Sequence, residues 1–136
     1  MNQILFSIPP FPRGIHLITS HVNTHLPTLP DIGVFLLFLQ HTSAGLTLNE
    51  NMDPTVRSDM KRSLDEMVSE DASYYEHTDE GADDMPAHIK TTLVGSSVSI
   101  PITNGRLNLG TWQGIYLCEF RNNGGQRKLI GTIIAV

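Results

Sequence analysis

Apolar residues along this chain fall mostly into short alternating or continuous bursts, and only two stretches repeat at helical spacing. Ile4 to Ile8 and Ile15 to Thr19 read as strands, separated by Pro9-Pro10-Phe11-Pro12, where proline interrupts any regular ladder. Ser20 is then placed to cap a short turn of helix reaching His25. The run Gly33 to Gln40 is apolar on both faces, which predicts a central strand covered from both sides and ending at His41.

Leu46 to Glu50 alternates as a further strand. Asp53-Pro54 follows it as an N-cap with proline at the first helical position. Val56, Met60, Leu64 and Met67 form one apolar stripe among charged neighbours, so the helix is amphipathic and packs on a sheet. From Ser69 to Asp84 the apolar pattern disappears and acidic residues dominate, and a loop this long is a candidate for function. A second, shorter helix begins near Met85-Pro86 and stops at Gly95. Beyond it the chain reads as β-structure. Val98, Ile100 and Ile102 lead to a hairpin turn at Asn104-Gly105, and Leu107 and Leu109 continue the return strand. Gly114 to Phe120 and Lys128 to Val136 are predicted to pair as another hairpin around Asn122 to Gly125. Strands, two main helices and the absence of repeats or linkers predict one α+β domain over residues 1–136.

Composition narrows the partners. Nine basic and fourteen acidic side chains give a net charge of −5, which opposes the phosphate neutralisation that nucleic-acid binding requires. Charged residues are only 17% of the chain, so burial against copies of itself is expected. No apolar run is long enough to span a bilayer as a helix, and the N-terminus lacks the basic start and long apolar core of a signal peptide. A cytoplasmic protein with no membrane partner is therefore expected. The single cysteine, Cys118, alternates with Tyr116 and Phe120 in an apolar strand and reads as core.

Four polar clusters carry candidate chemistry. His41-Thr42-Ser43-Ala44-Gly45 directly follows a buried strand, which fixes the histidine and offers the Thr42 and Ser43 hydroxyls to an anion; a turn in which those hydroxyls bond their own backbone is the plainer alternative. The segment His77 to Lys90 packs two histidines and four carboxylates together, suitable donors for zinc, with Asp84 and His88 one helical turn apart. Acids at a helix start also explain Asp83 and Asp84 through the helix dipole. At Asn49 to Asp53, Glu50 is a candidate base or metal ligand, while Asp53 is sufficiently explained as a cap. Gly110-Thr111-Trp112-Gln113-Gly114 frames the only tryptophan and a glutamine amide, suited to a flat ring or to plain packing. Arg121 has the planar fork of a phosphate clamp, and Glu119 on the same strand face is a candidate pairing partner for it.

Taken in order, four motifs resemble the signature of the YjbQ, or secondary thiamine-phosphate synthase, family. They are His41-Thr42-Ser43-Ala44-Gly45 running on to Asn51, Tyr75-Glu76-His77 leading into Glu80 to Lys90, Asn104-Gly105-Arg106-Leu107, and Gly110-Thr111-Trp112-Gln113-Gly114-Ile115-Tyr116. The resemblance implies a two-sheet β-sandwich with two main flanking helices, assembled as a homotrimer. It also implies a weak thiamine-phosphate synthase activity, joining a pyrimidine diphosphate to a thiazole phosphate with loss of pyrophosphate. On that reading His41, His77 and His88 hold a divalent metal, zinc or magnesium; Glu50, His41 and His88 are catalytic; and Thr42, Ser43, Lys90, Trp112, Gln113 and Arg121 bind a phosphorylated small molecule. A binding module for a phosphorylated metabolite and a metal-assisted hydrolase are the competing functions.

Overall fold

The computed structural model describes residues 2–136. Strands β1 (Gln3–Ile8), β2 (Gly14–Leu17), β3 (Ile32–Leu39), β4 (Ala44–Glu50), β5 (Ser97–Thr103), β6 (Arg106–Leu107), β7 (Gln113–Glu119) and β8 (Arg127–Ala135) alternate with helices α1 (Thr19–His25), α2 (Pro54–Met67) and α3 (Asp84–Val94). They form a five-stranded sheet in the order β1-β8-β3-β5-β6 and a three-stranded sheet in the order β2-β7-β4. This is the α+β two-sheet arrangement expected from the sequence.

Alternation along β7 explains the layering. Ile115 and Leu117 point into the main core, where they meet Phe35, Leu37, Ile100 and Leu129 of the larger sheet. Tyr116 and Cys118 point the other way, into a second cluster with Ala87 of α3 and with Met60 and Leu64 of α2. The strand is therefore buried on both faces, between a sheet and a helical layer. Burial pushes the Cys118 thiol up to about 12, as an inert core residue requires.

Several boundaries differ from the sequence reading. Ser20 is not the cap of α1, because the N-cap position falls on Ile18 with no side-chain bond, and Thr19 Oγ1 accepts instead from the Ile115 amide. β7 and β8 do not pair as a hairpin, since β7 lies between β2 and β4 while β8 lies between β1 and β3. The Asn122 to Gly125 turn thus carries the chain from one sheet to the other. The return strand after Asn104-Gly105 ends at Leu107, although both turn residues take the positive φ expected of them. Met67, assigned to the buried stripe of α2, is exposed. The Asp53 cap is as expected, its Oδ1 accepting from the Thr55 amide at 2.9 Å.

β3 is central in its sheet, but only one of its faces is covered. Phe35, Leu37 and Leu39 are buried, whereas Ile32 and Phe38 are exposed and Val34 and Leu36 are half-buried. The register places Leu5 beside Ile130, Ile130 beside Phe38, and Val34 beside Ile134, so the outer face of the larger sheet is apolar along β3, with Thr132 and Ser99 flanking Leu36. Among the described residues, no helix is long and apolar enough to cross a membrane.

α3 is fixed to its neighbours in two ways. A Cβ at Gly45 would come within 2.9 Å of Gly95 O and of Val94 Cγ1, so the glycine lets the end of α3 press against β4. Lys90 is 1% exposed, and its Nζ donates to Asp65 Oδ1 of α2 at 2.5 Å. This overturns its assignment as a phosphate-binding cation: the ammonium faces inward and is already paired. Arg13 Nη2 and Lys61 Nζ also donate to Asp65, at 2.9 and 3.0 Å. Burial alone would push the Asp65 carboxyl up, but bonds from Lys90, Arg13 and Lys61 outweigh it and hold the group well below the usual carboxylate range.

Asp65→Ala leaves the Lys90 ammonium buried without its partner, and the expected loss is about 3 kcal/mol in denaturant titrations. Lys90→Met, which removes the charge and keeps the packing, should cost less. The same carboxylate sets an acid response. Because its folded-state value is depressed, its contribution is whole above the free aspartate value of about 3.9 and is lost as pH falls further. Wild type should therefore lose stability below about pH 4 more steeply than Asp65→Asn, as followed by thermal melts against pH.

Candidate metal centre

Among the described residues, one group of potential ligands converges: His77, Asp84 and His88, whose donor atoms all lie within 4.8 Å of one another. Asp84 and His88 share one face of α3 at helical i,i+4 spacing, and His77 enters from the connection that precedes the helix. Asp84 Oδ2 lies 2.7 Å from His77 Nε2 and 3.2 Å from His88 Nε2, and the two imidazole centroids are 5.3 Å apart.

Each member is held by a further contact. His88 Nδ1 donates to the carbonyl of Thr42 at 2.8 Å, and a carbonyl only accepts, so the ring carries a proton on Nδ1 and, when neutral, turns the Nε2 lone pair toward Asp84. Asp84 is buried, and its other oxygen, Oδ1, accepts from Arg121 Nη1 at 2.6 Å. Arg121 also donates from Nε to Asp83 Oδ2 at 2.9 Å and from Nη2 to the Glu80 carbonyl at 2.9 Å. Burial would raise the Asp84 carboxyl, but the His77 bond, the His88 charge and Arg121 pull it below the usual range. Asp83 is likewise lowered against its burial, by the Asn122 amide and Arg121.

The candidates named from sequence separate into two ends of the smaller sheet. β4 pairs with β7 from Ala44↔Glu119 at one end to Glu50↔Gln113 at the other. The converging ligands sit beside the first end, with Thr42, Ser43 and His41. Glu50, Trp112 and Gln113 sit at the second, about 20 Å away along β4 at roughly 3.3 Å per residue. Glu50 therefore does not reach the ligand group within one chain. Trp112 is 58% exposed, which rules out a packing plug, and Gln113 Oε1 folds back to accept from the Gly110 amide at 2.8 Å.

His41 lies outside the converging group. Its Nε2 accepts from the Lys128 amide at 2.7 Å, and its Nδ1 faces Arg127 Nη1 at 3.3 Å. Burial, and then the Arg127 charge, lower its pKa below the usual histidine value. Nor is Arg121 a free clamp, since all three of its nitrogens are engaged by acidic-loop oxygens. Thr42 and Ser43 do not form the self-bonded turn: Ser43 Oγ accepts from Arg127 at 3.0 Å, and Thr42 is exposed.

Two participants were missed in the sequence. Asp84 was explained by the helix dipole, although its i,i+4 spacing to His88 signalled a shared face. Arg127 carried no local signal at all, because its partner Glu119 lies in the other sheet. An open hollow of about 530 Å³ adjoins the ligands, lined by His41, Thr42, His88, Thr91, Thr92 and Ser96. A larger hollow of about 910 Å³ lies around Arg13, Asp65 and Glu70, but those charges are already paired with one another and no ligand group converges there.

Similarity to known proteins extends over nearly the whole chain. A family model described as UPF0047 protein YjbQ-like matches residues 5–136. UPF0047 protein YjbQ of Salmonella typhimurium is 55% identical over 124 residues, covering 90% of this chain and 89% of that protein. Its counterpart in Escherichia coli O157:H7 is 51% identical over 123 residues, covering 89% and 88%. The crystal structure of a YjbQ/UPF0047 family protein from Clostridium acetobutylicum superposes with a TM-score of 0.81 at 36% identity, over 96% of this chain and 99% of that one. With a match that runs nearly from end to end, the chain belongs to the YjbQ, or UPF0047, family.

Proposed function

We propose that His77, Asp84 and His88 form a divalent-metal centre and that the chain uses it on a phosphorylated small molecule. One observation carries the metal. With a His88 proton fixed on Nδ1 by Thr42, the neutral ring turns its Nε2 lone pair to a carboxylate oxygen at 3.2 Å, a pair bridged by a proton or by a metal ion, and His77 converging on the same oxygen supplies the third donor that favours the ion. Two imidazoles and one carboxylate suit zinc better than magnesium, which favours an all-oxygen shell.

The reaction proposed is the weak thiamine-phosphate synthase type transfer implied by the family resemblance. A bound divalent ion supplies positive charge for the departing pyrophosphate. Arg121 orients Asp84 through Oδ1, leaving Oδ2 for the imidazoles, and the exposed Thr42 and the hollow beside His88 provide a polar berth for the substrate. A second reading, a binding module that holds a phosphorylated metabolite without turnover, is favoured by the engagement of both Lys90 and Arg121 with carboxylates, which removes the two cations expected to meet pyrophosphate. The hydrolase reading loses two candidate bases within one chain, because Glu50 is remote and Asp83 is held by Arg121, and rests on the other acidic-loop carboxylates Glu76, Asp79 and Glu80. The proposal assumes a cytoplasmic homotrimer, and the uncovered apolar face around Leu5, Phe38 and Ile134 supports its self-association.

Metal analysis should find about one zinc or similar ion per wild-type chain, with affinity falling at least about 10-fold in His88→Ala and in Asp84→Ala. Absence of a stoichiometric ion in wild type removes the centre. Purified protein should make thiamine phosphate from the pyrimidine diphosphate and the thiazole phosphate, and His88→Ala should abolish this while remaining folded. Binding of inorganic phosphate or a pyrimidine phosphate without turnover would replace the enzyme by the binding module. Sedimentation should give three chains for wild type and a smaller species for Phe38→Asp; a wild-type monomer at micromolar concentration excludes the trimer.

A further inference from the structure

We infer that Arg127, clamped by Glu119, is a positioning residue that fixes the tautomer of His88 through the carbonyl of Thr42, and that His41 belongs to this brace and not to the ligand set. The brace starts inside the protein. Arg127 is 4% exposed and Glu119 1%, and the guanidinium meets the carboxylate as a fork, with Nε to Oε1 at 2.7 Å and Nη2 to Oε2 at 2.5 Å. An ion pair this deeply buried is weak evidence for stability, since an apolar pair of similar volume often does as well. Its specificity lies in what the remaining donors reach.

Arg127 Nη2 also donates to Ser43 O at 3.2 Å and to Ser43 Oγ at 3.0 Å; Nη1 lies 3.3 Å from His41 Nδ1, which carries the ring proton when Nε2 accepts from Lys128 and so is a neighbour of the guanidinium and not its acceptor. The next residue continues the hold: the Lys128 amide donates to His41 Nε2 at 2.7 Å, and the Lys128 carbonyl accepts from the Gln40 amide at 3.0 Å. The Phe120 amide, just past the end of β7, donates to Ser43 O at 3.3 Å. His41 and Ser43, the residues on either side of Thr42, are therefore both pinned by the start of β8. Thr42 itself is exposed, and the direction of its carbonyl is set by its neighbours. That carbonyl is the group that meets His88 Nδ1 at 2.8 Å.

The consequence is chemical. With Nδ1 protonated, His88 offers Nε2 as a lone pair toward Asp84; if the carbonyl swings away, the ring is free to hold its proton on Nε2 and bond Asp84 as a donor. The second state cannot ligate without first losing that proton. His41, whose Nε2 already accepts a backbone amide, contributes by holding the loop.

The effect on metal affinity rests on the centre proposed above, but the tautomer does not, so the two fail separately. In metal-free protein labelled with 15N at histidine, long-range correlation spectra should show His88 protonated on Nδ1 in wild type. Arg127→Met should shift it toward Nε2, Arg127→Lys should restore part of the wild-type pattern, and His41→Gln, which keeps an acceptor for the Lys128 amide, should stay near wild type. Zinc competition should show an affinity loss of about 10-fold or more in Arg127→Met and little change in His41→Gln. Should Arg127→Met not fold, His41→Ala at its half-buried position gives the same readout by removing the acceptor for the Lys128 amide. A folded Arg127→Met with the wild-type tautomer and wild-type affinity overturns the brace. A shifted tautomer in a protein whose wild type binds no metal upholds the brace and sinks the centre. If His41→Gln loses metal as completely as His88→Ala with the tautomer unchanged, His41 is a ligand and its assignment here is wrong.

Discussion

The ion pair between Glu119 and Arg127 is the contact on which the end of the sandwich that carries His77, Asp84 and His88 depends. Glu119 closes β7 in the three-stranded sheet, and Arg127 opens β8 in the five-stranded one, so a single fork of hydrogen bonds ties the two sheets together at one end of the sandwich. Hydrophobic burial holds the sheets face to face, but it is non-directional and does not set where their ends stop. The fork does. From it the turn after β3 takes its shape, and from that turn α3 receives the carbonyl that orients His88.

The same logic governs the other interior charges. Charged residues are scarce in this sequence, yet Lys90 with Asp65, and Arg121 with Asp83 and Asp84, lie wholly or partly inside. Each pair joins an element of the helical layer to something else: α3 to α2, and the start of α3 to the segment following β7. Buried charges are costly unless paired and hydrogen-bonded, so each pair admits few alternative geometries. The cations that the sequence suggested for phosphate are thereby committed to orienting carboxylates. An engaged guanidinium positions a neighbour; it does not greet a ligand.

What the sequence made legible was what local patterning controls. Alternation found most of the strands, the Asp53-Pro54 cap located the start of α2, Gly95 located the end of α3, and Asn104-Gly105 located a turn with the expected backbone. Misreadings arose where a neighbour distant in sequence decides. The run after Asn122 looked like one side of a hairpin because nothing local says that its partner lies in another sheet. β3 looked covered on both sides because periodicity reports that both faces are apolar, not what covers them. At the site, His77 and His88 were visible as an unusual concentration of ligands, whereas Asp84 had a sufficient local explanation as a helix-start acid. His41 entered the ligand group through the family resemblance, and its acceptor role depends on an amide 87 residues away.

The three candidate ligands are not equivalent in how they are held. Asp84 and His88 share a helix whose i,i+4 geometry presents both before anything binds. His77 belongs to the long connection between α2 and α3 and is itself exposed, and the last part of that connection is anchored where Arg121 meets the Glu80 carbonyl and Asp83. Docking this segment orders backbone that has little apolar burial to favour it, so its free energy depends on those polar contacts and on the bond from His77 to Asp84. Any cation bound by all three groups favours the docked segment over the undocked one by mass action. Loop closure and ligand completion are then one equilibrium, and Arg121 acts on both of its sides: it orients the carboxylate that receives the imidazoles and holds the chain that delivers one of them.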